Sequence, residues 1–326
     1  MPTLAERYVA GVNKARKDKT AVMLLKGESL KCPRISTQCA VLDGMMGGGF
    51  PLGRIVEVLG DEASGKTTVA LHVLAEAQKQ GGVGVMIDME HALDMSYAET
   101  IGINKSELVF AQPDSGEEAL EIIKEMMVIK AEISKTKPLV AVVDSAAAMA
   151  TAEELTRDMG SATVAPVARL LSTSLRRLKG EVAQTQTLLL FTNQMRDTIG
   201  QFKTSNSTGG RALKFYTSVR LELSMGKRLR QDDVMIGQTV RARVIKNKTY
   251  PPYKDGEFRI VWGKGIDTMY SIFTIATNMK IIAKKGSWYE FGRVRAQGEK
   301  GFLEALAADP RLSQLIIRRI EAVENG

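Results

Sequence analysis

Hydrophobic residues in this chain alternate between two textures. Short, continuous apolar runs rich in β-branched residues are separated by longer stretches with apolar positions every three or four residues. The first texture predicts buried strands and the second amphipathic helices. "RIVEVLG", "VGVMID" (Val83 to Asp88), "LVAVVD" (Leu139 to Asp144) and "TLLLFTNQ" (Thr187 to Gln194) are of the first kind. After the first of them, Val69, Leu71, Val73, Leu74 and Ala77 give a helical apolar face, which Gly81-Gly82 stops. "EEALEIIKEMMVIKAEI" predicts a helix, with Ile122, Met126, Ile129 and Ile133 at helical spacing, and "SKTKP" then breaks the chain. "PVARLLSTSLRRLKGEVAQ" predicts another, with proline in its first turn. Near-continuous apolar strands joined by helices imply a parallel sheet covered on both faces.

The texture changes after Gln194. "MRDTIGQFKTSNSTGG" is polar, glycine-bearing and long for a connection. "SVRLELS", "TVRARVIKNKT" and "EFRIVWGKG" follow as strand-like runs with no helix between them, which predicts an antiparallel extension of the sheet. From about Ile266 the pattern is a helix, a short aromatic hairpin ("SWYEFGRVR") and two helices, a small α/β appendage.

Composition narrows the class. At 326 residues, 44% hydrophobic and 25% charged, the chain suits one large soluble domain plus a small one. No apolar run approaches the roughly 20 residues that span a bilayer. The N-terminal "MPTLAERYVAGVNKARKDKT" is charged throughout and lacks a signal-peptide core. Two cysteines, Cys32 and Cys39, and two histidines argue against a disulfide framework or a zinc site, and point to a reducing cytoplasm. A net charge of +8 makes an anionic partner plausible.

The chemistry begins at the end of the first strand. "GDEASGKT" (Gly60, Asp61, Glu62, Ala63, Ser64, Gly65, Lys66, Thr67) fits G-x-x-x-x-G-K-[ST], between a strand and a helix as its mechanism requires. Such a loop turns backbone N–H groups inward around phosphate oxygens, and the helix N-terminus adds its own. Lys66 would reach the β- and γ-phosphates and Thr67 would ligate Mg²⁺; Thr68 follows in the same turn. Asp144 ends an apolar strand, where an acid can reach Mg²⁺ directly or through water. Glu90 ends the strand next in sequence to the loop, where a carboxylate can activate the attacking water. The loop at Gly60, Asp88 to Glu90, Asp144 and Asn193-Gln194 all sit at carboxyl ends of strands, where ligands bind in such sheets. Basic residues cluster downstream: Lys227, Arg228, Arg230, Arg241, Arg243, Lys246 and Lys248 against only Asp232 and Asp233. The loop after Gln194 carries Arg196, Lys203 and Arg211 among serines and threonines, a composition suited to phosphate-backbone contact.

"RIVEVLGDEASGKTT", "VMIDMEHALD", "VAVVDSAAAM", "LLLFTNQMR", "TGGRALKFYTSVRLEL" and "VIKNK" come in the order and spacing of the RecA family, which this chain resembles from about residue 20 to 320. The resemblance implies an α/β fold: a RecA-type P-loop ATPase core with a mostly parallel sheet and an antiparallel extension. It also implies an N-terminal helix and strand for polymerisation and a small C-terminal α/β domain, divided at 1–32, 33–265 and 266–326. It implies an ATP- and single-strand-dependent recombinase, with ATP and Mg²⁺ as cofactors, that forms helical filaments on DNA and exchanges strands with a duplex. The alternatives are a ring-forming motor of the hexameric helicase type and a small-molecule P-loop kinase.

By resemblance, Glu90 is the catalytic glutamate and Gln194 senses the γ-phosphate. Lys246 and Lys248 reach ATP on the adjacent protomer, and Asp94 and Tyr97 belong to the adenine pocket. Met269, with Tyr270 one position away, stands near an adenine-stacking tyrosine. The first DNA loop spans about Arg157 to Thr163 and the second about Met195 to Gly210. Contacts with DNA fall to Arg169, Arg176, Arg196, Ile199, Lys203, Thr208, Gly209, Gly210 and Arg211. "AVMLLKG" resembles the segment that joins a neighbour's sheet, and Phe215 an aromatic on that interface. The first loop, "TRDMGSATVA", departs from the glycine-acid pattern usual in bacterial members and carries Val164 in place of a methionine; the chain ends "RRIEAVENG", without an acidic tail. The compact form and diverged first loop suit a bacteriophage-encoded relative.

Overall fold

A computed structural model describes residues 2–17, 22, 24, 32–157, 165–196, 206–207 and 211–324. The N-terminal unit, as far as Pro33, contains helix α1 (Leu4–Arg16). Thr3 and Glu6 close a reciprocal capping box at its start, satisfying backbone N–H groups that a helix end leaves open. Leu4, Tyr8 and Val12 recur every four residues along it and are exposed. Of "AVMLLKG" only Val22 and Leu24 lie within the described residues, and the Asn13 amide bonds both the N–H and the C=O of Val22 at 2.8 Å.

The second unit runs from Arg34 onward. It opens with β1 (Arg34–Ile35), α2 (Ala40–Met46) and β2 (Phe50–Pro51). Then come β3 (Arg54–Gly60), α3 (Lys66–Lys79), β4 (Val83–Asp88), α4 (Met95–Ile101), β5 (Leu108–Ala111), α5 (Gly116–Ile133) and β6 (Leu139–Asp144). The next are α6 (Ala152–Thr156), α7 (Pro166–Gln184), β7 (Thr187–Arg196), β8 (Asn206–Ser207) and α8 (Arg211–Tyr216). Four strands follow: β9 (Val219–Gln231), β10 (Val234–Asn247), β11 (Asp255–Val261) and β12 (Gly265–Ile266). The chain closes with α9 (Thr268–Asn278), β13 (Ala283–Lys285), β14 (Trp288–Phe291), β15 (Val294–Gln297), α10 (Gly298–Ala308) and α11 (Pro310–Glu324).

The central sheet has the order β12-β11-β10-β9-β3-β7-β6-β4-β5. Strands β9, β3, β7, β6, β4 and β5 pair in parallel, and β10, β11 and β12 extend them antiparallel. Each of the four parallel strands predicted from sequence is present, as is the extension. One apolar cluster under α3 fills one face of the sheet, and a second under α5 and α7 fills the other. Burial on both faces is why β6 reads as an unbroken apolar run.

Two differences from the sequence pattern matter. Helix α5 buries Ala119, Leu120, Ile123 and Met127, a stripe beside the expected one. Ile129 and Ile133 are 46% and 78% exposed and line a small groove with Val83 and Leu139, at the starts of β4 and β6. The helix carries apolar residues on two adjoining stripes, and spacing alone does not tell which one faces the sheet. The aromatic hairpin after α9 is two strands of a three-stranded sheet, β13-β14-β15. Phe273, Tyr289 and Phe302 meet over it, with ring centroids 4.9–6.2 Å apart. Among the described residues, no helix is long and apolar enough to cross a membrane.

Candidate functional site

Parallel register brings the predicted strand ends level. Gly60 stands opposite Gln194, and Asp88 opposite Asp144. The loop between β3 and α3 depends on Gly65, whose φ of +94° disfavours an L side chain. A Cβ there would lie 2.4 Å from the Ile260 side chain. Lys66 follows as the first residue of α3, and its ammonium donates to the carbonyls of Gly60 (3.1 Å) and Asp61 (2.6 Å). Burial pulls Lys66 below the ordinary lysine range, while Asp144, then Glu90, Asp61 and Glu62 pull it back. The lysine thus sits where several acids surround one cation. Asp61, Glu62 and Ala63 are exposed along the loop, and Ser64 is buried beneath it.

The Thr67 hydroxyl donates to Asp144 Oδ2 at 2.6 Å, joining the helix start to the tip of β6. Thr192 on β7 donates to the other carboxylate oxygen. Burial pushes the Asp144 carboxyl up, and the Thr192 and Thr67 hydroxyls oppose the shift. The Ser145 hydroxyl donates to the Glu90 carboxylate, while the Asp144 carbonyl accepts from the backbone of Met89 (2.7 Å) and Glu90 (3.3 Å). Lys66, Thr67, Asp144 and Glu90 therefore form one connected cluster at the strand tips. Asp88, also at a strand tip, is spent on structure: it accepts from the Ala92 and Leu93 N–H groups and from Gln112.

Beside the loop lies a cleft of about 570 Å³. Gly65, Lys66, Thr67 and Thr68 line it together with Asp94, Tyr97, Ile260 and Trp262. Asp94 caps α4, accepting from the Ser96 hydroxyl (2.7 Å) and from the N–H groups of Tyr97 (3.2 Å) and Ser96 (2.8 Å), and these contacts, the hydroxyl first, hold its carboxyl below the usual range. Thr68 and Tyr97 share a hydroxyl–hydroxyl bond of 3.0 Å. The cleft thus combines the phosphate-seeking loop with two aromatic side chains, as a nucleotide requires.

Comparison with known proteins agrees. Residues 6–267 match the family described as RecA N-terminal domain. The protein named Protein RecA from Aquifex aeolicus is 44% identical over 307 residues, covering 93% of this chain and 87% of the relative. The one from Gloeobacter violaceus is 40% identical over 312 residues, 94% of this chain and 83% of the relative. That from Halalkalibacterium halodurans is 43% identical over 290 residues, 88% and 81%. The chain belongs to the RecA family. It is accordingly a DNA recombinase and a DNA-dependent ATPase, and the ring-forming helicase alternative is not favoured.

Against the RecA expectations, two placements differ from the sequence reading, those of Met269 with Tyr270 and of Asn193. Met269 packs in the C-terminal apolar cluster, where Ser313 meets its sulfur, and Tyr270 lies 3.5 Å from the Arg259 guanidinium. Neither lines the cleft, whose aromatic residues are Tyr97 and Trp262, the latter 52% exposed. Asn193 turns away from the cluster and donates to buried Glu57 at 2.9 Å, whereas Gln194, its neighbour on β7, is half-buried. Lys246 and Lys248 do not approach the loop of their own chain. Lys246 pairs with Arg220, which is level with Glu57, three residues before Gly60 on β3, or roughly 10 Å along the strand. Its ammonium donates to the Lys214 carbonyl at 2.6 Å. Burial first, then Lys248 and Arg220, push its pKa down to about 8. Phe215 is 66% exposed on α8.

Arg169 and Arg176 are exposed, two turns apart on α7, and Arg176 donates to the Tyr216 hydroxyl at 3.3 Å. Arg196 and Arg211 have described backbones only. Ile199, Lys203, Thr208, Gly209 and Gly210 lie outside the described residues, as does most of the first loop. Sequence reading missed Ser145, Thr192, Gln238, which donates to the Ala63 carbonyl at 2.7 Å, and the buried Glu57–Arg220 pair. For Thr192 and Glu57 a signal existed: a polar residue inside an otherwise apolar strand needs a buried partner.

Proposed function

We propose that the strand-tip cluster binds ATP with Mg²⁺ and hydrolyses it, and that assembly on single-stranded DNA switches this on. The observation that carries the reading is the Thr67–Asp144 contact at 2.6 Å beside the Lys66 ammonium. A hydroxyl and a carboxylate held together offer the oxygen donors that Mg²⁺ selects, so the residues present fit the ion. Among the described residues no three His, Cys, Asp or Glu side chains gather as a metal site, in keeping with an ion held jointly with the nucleotide. Bound there, Mg²⁺ would neutralise phosphate charge.

In this reading Lys66 exchanges its two loop carbonyls for phosphate oxygens, and the loop N–H groups close around them. Tyr97 and Trp262 hold the base between aromatic faces, with Asp94 at its edge. Glu90, oriented by Ser145, takes a proton from the attacking water. Gln194 donates to the γ-phosphate and, standing where β7 gives way to the second DNA loop, passes its presence to DNA.

Lys246 and Lys248, remote from their own loop, act on a neighbour's nucleotide. Arg169, Arg176, Arg196, Ile199, Lys203, Thr208, Gly209, Gly210 and Arg211 contact DNA, largely at its backbone. Copies join head to tail into an open helical filament in which the segment around Val22 adds to the β5 edge of the next copy. Phe110, 43% exposed on that edge strand, supports an acceptor surface there. The division at 1–32, 33–265 and 266–326 and a cytoplasmic setting belong to the same proposal.

The test is ATP hydrolysis with and without single-stranded DNA, beside negative-stain images. Stimulated turnover on open filaments, lost in Lys66→Ala, is expected. Closed rings, or normal turnover by Lys66→Ala at saturating ATP, would overturn the reading.

A further inference from the structure

A second cavity, of about 330 Å³, opens at the other end of β3. Arg54 begins that strand and Gly60 ends it, so the cavity lies about 20 Å from the nucleotide loop at the usual strand rise. Three cations line it: Arg54 from β3, Lys179 from α7 and Lys248 from beyond β10. Tyr216, Ser218 and Thr249 line it too, the Tyr216 hydroxyl accepting from Arg176 and the Thr249 hydroxyl donating to Asn247 at 2.9 Å, and among the described residues the lining contains no Asp or Glu. None of the ion pairs among the described residues involves these three cations. Arg54 donates one N–H to the Gly53 carbonyl at 2.9 Å.

The plain explanation is that these cations offset the carboxyl end of α7, which stops at Gln184 beside the cavity. A helix end carries only about half a negative charge, so three cations exceed it several-fold. The surplus acts on the neighbouring groups. Lys246 is pushed down to about 8, with Lys248 second to burial among the causes. Tyr216 is held below its ordinary range by Arg176 first, with Lys179 contributing. Three cations around one cavity, without an acidic partner among the described residues, suit a tetrahedral oxyanion, which accepts charge-assisted hydrogen bonds from several directions.

We propose that this cavity is a second phosphate site, with Arg54 and Lys179 completing it around Lys248. The chain's own nucleotide cannot reach it, so its ligand arrives from solution or from another copy. Resting on the proposal that Lys248 acts on a neighbour's ATP, the phosphate it takes is the one released at that interface.

The test is binding of radiolabelled inorganic phosphate to the full, nucleotide-free chain by equilibrium dialysis. Lys66→Ala silences the first site in every sample. One phosphate per chain should remain in Lys66→Ala, and adding Arg54→Gln with Lys179→Gln should weaken it about tenfold or more. Arg54→Lys, which keeps the charge, should bind within a few-fold of Lys66→Ala alone and controls for misfolding. No phosphate bound by Lys66→Ala, or unchanged binding after both cations are removed, overturns the proposal. Because the dialysis contains no ATP, it fails or succeeds independently of any test of action in trans.

Discussion

Arg220→Met is the substitution whose cost the structure defines most sharply. Glu57 is fully buried in β3 and Arg220 is 8% exposed in β9. The guanidinium donates to one carboxylate oxygen at 2.5 Å, and Asn193 donates to the other at 2.9 Å. Methionine fills similar volume but removes the charge, leaving a buried carboxylate with one neutral donor. Breaking a buried pair this way costs about 3–5 kcal/mol, because the remaining charge stays desolvated. That is roughly two to three and a half decades in the unfolding equilibrium. Glu57→Gln with Arg220→Met keeps an acceptor for Asn193 and removes the stranded charge, so the double variant should lie within about 2 kcal/mol of the parent. The assay is urea unfolding followed by circular dichroism, without nucleotide, reading the midpoint at unchanged slope. Arg220→Met within about 1 kcal/mol of the parent would refute the reasoning, as would a double variant no more stable than the single.

His72 should give the chain an acid-side loss of stability. Its Nε2 accepts from the Ile266 N–H at 2.9 Å and its Nδ1 meets Gln38 at 2.8 Å, and burial pulls its pKa from 6.5 to about 4. The unfolded chain binds this proton more readily, so stability present above pH 6.5 falls away toward pH 4. At about 1.4 kcal/mol per pH unit the loss approaches 3 kcal/mol, and a His72→Gln variant that shows the same pH slope would count against it. Glu90→Gln should keep ATP binding and slow hydrolysis by about two to four orders of magnitude, with Ser145→Ala a milder copy; hydrolysis at the parent rate would make Glu90 structural. Gln194→Ala should leave ATP affinity within a few-fold, since one neutral hydrogen bond contributes about 0.5–1.5 kcal/mol. It should erase the tightening of single-strand binding by a non-hydrolysable ATP analogue over ADP at fixed salt, and retention of the parent ratio would exonerate it.

The phosphate end of the site was legible because its motif is contiguous: eight residues from Gly60 to Thr67, between an apolar strand and a periodic helix, carry their own context. Strand tips were legible too, since β4, β6 and β7 are apolar runs that end on polar residues. What sequence could not order were contacts made across the sheet. Trp262 faces the cleft only because β11 lies beyond β10 and β9, far from the loop in sequence. Met269 looked equivalent by position, but α9 turns it into the C-terminal core. Helix α5 shows the limit of periodicity, for its two apolar stripes differ only in what packs on them. Asn193 and Gln194 are adjacent letters with opposite fates because successive strand residues face opposite sides.

The central claim is that one copy's cluster of Lys66, Thr67, Asp144 and Glu90 works with another copy's Lys246 and Lys248. Mixing two inactive variants tests it directly. Lys66→Ala lacks an intact nucleotide loop, and Lys246→Ala with Lys248→Ala lacks the pair that lies roughly 10 Å back along β3 from its own loop. Each alone should hydrolyse ATP at background rates on single-stranded DNA. Mixed and co-assembled, they should recover part of the parent rate, greatest near equal proportions, where intact halves meet most often. No recovery at any ratio, in filaments shown to contain both variants, would contradict action between copies.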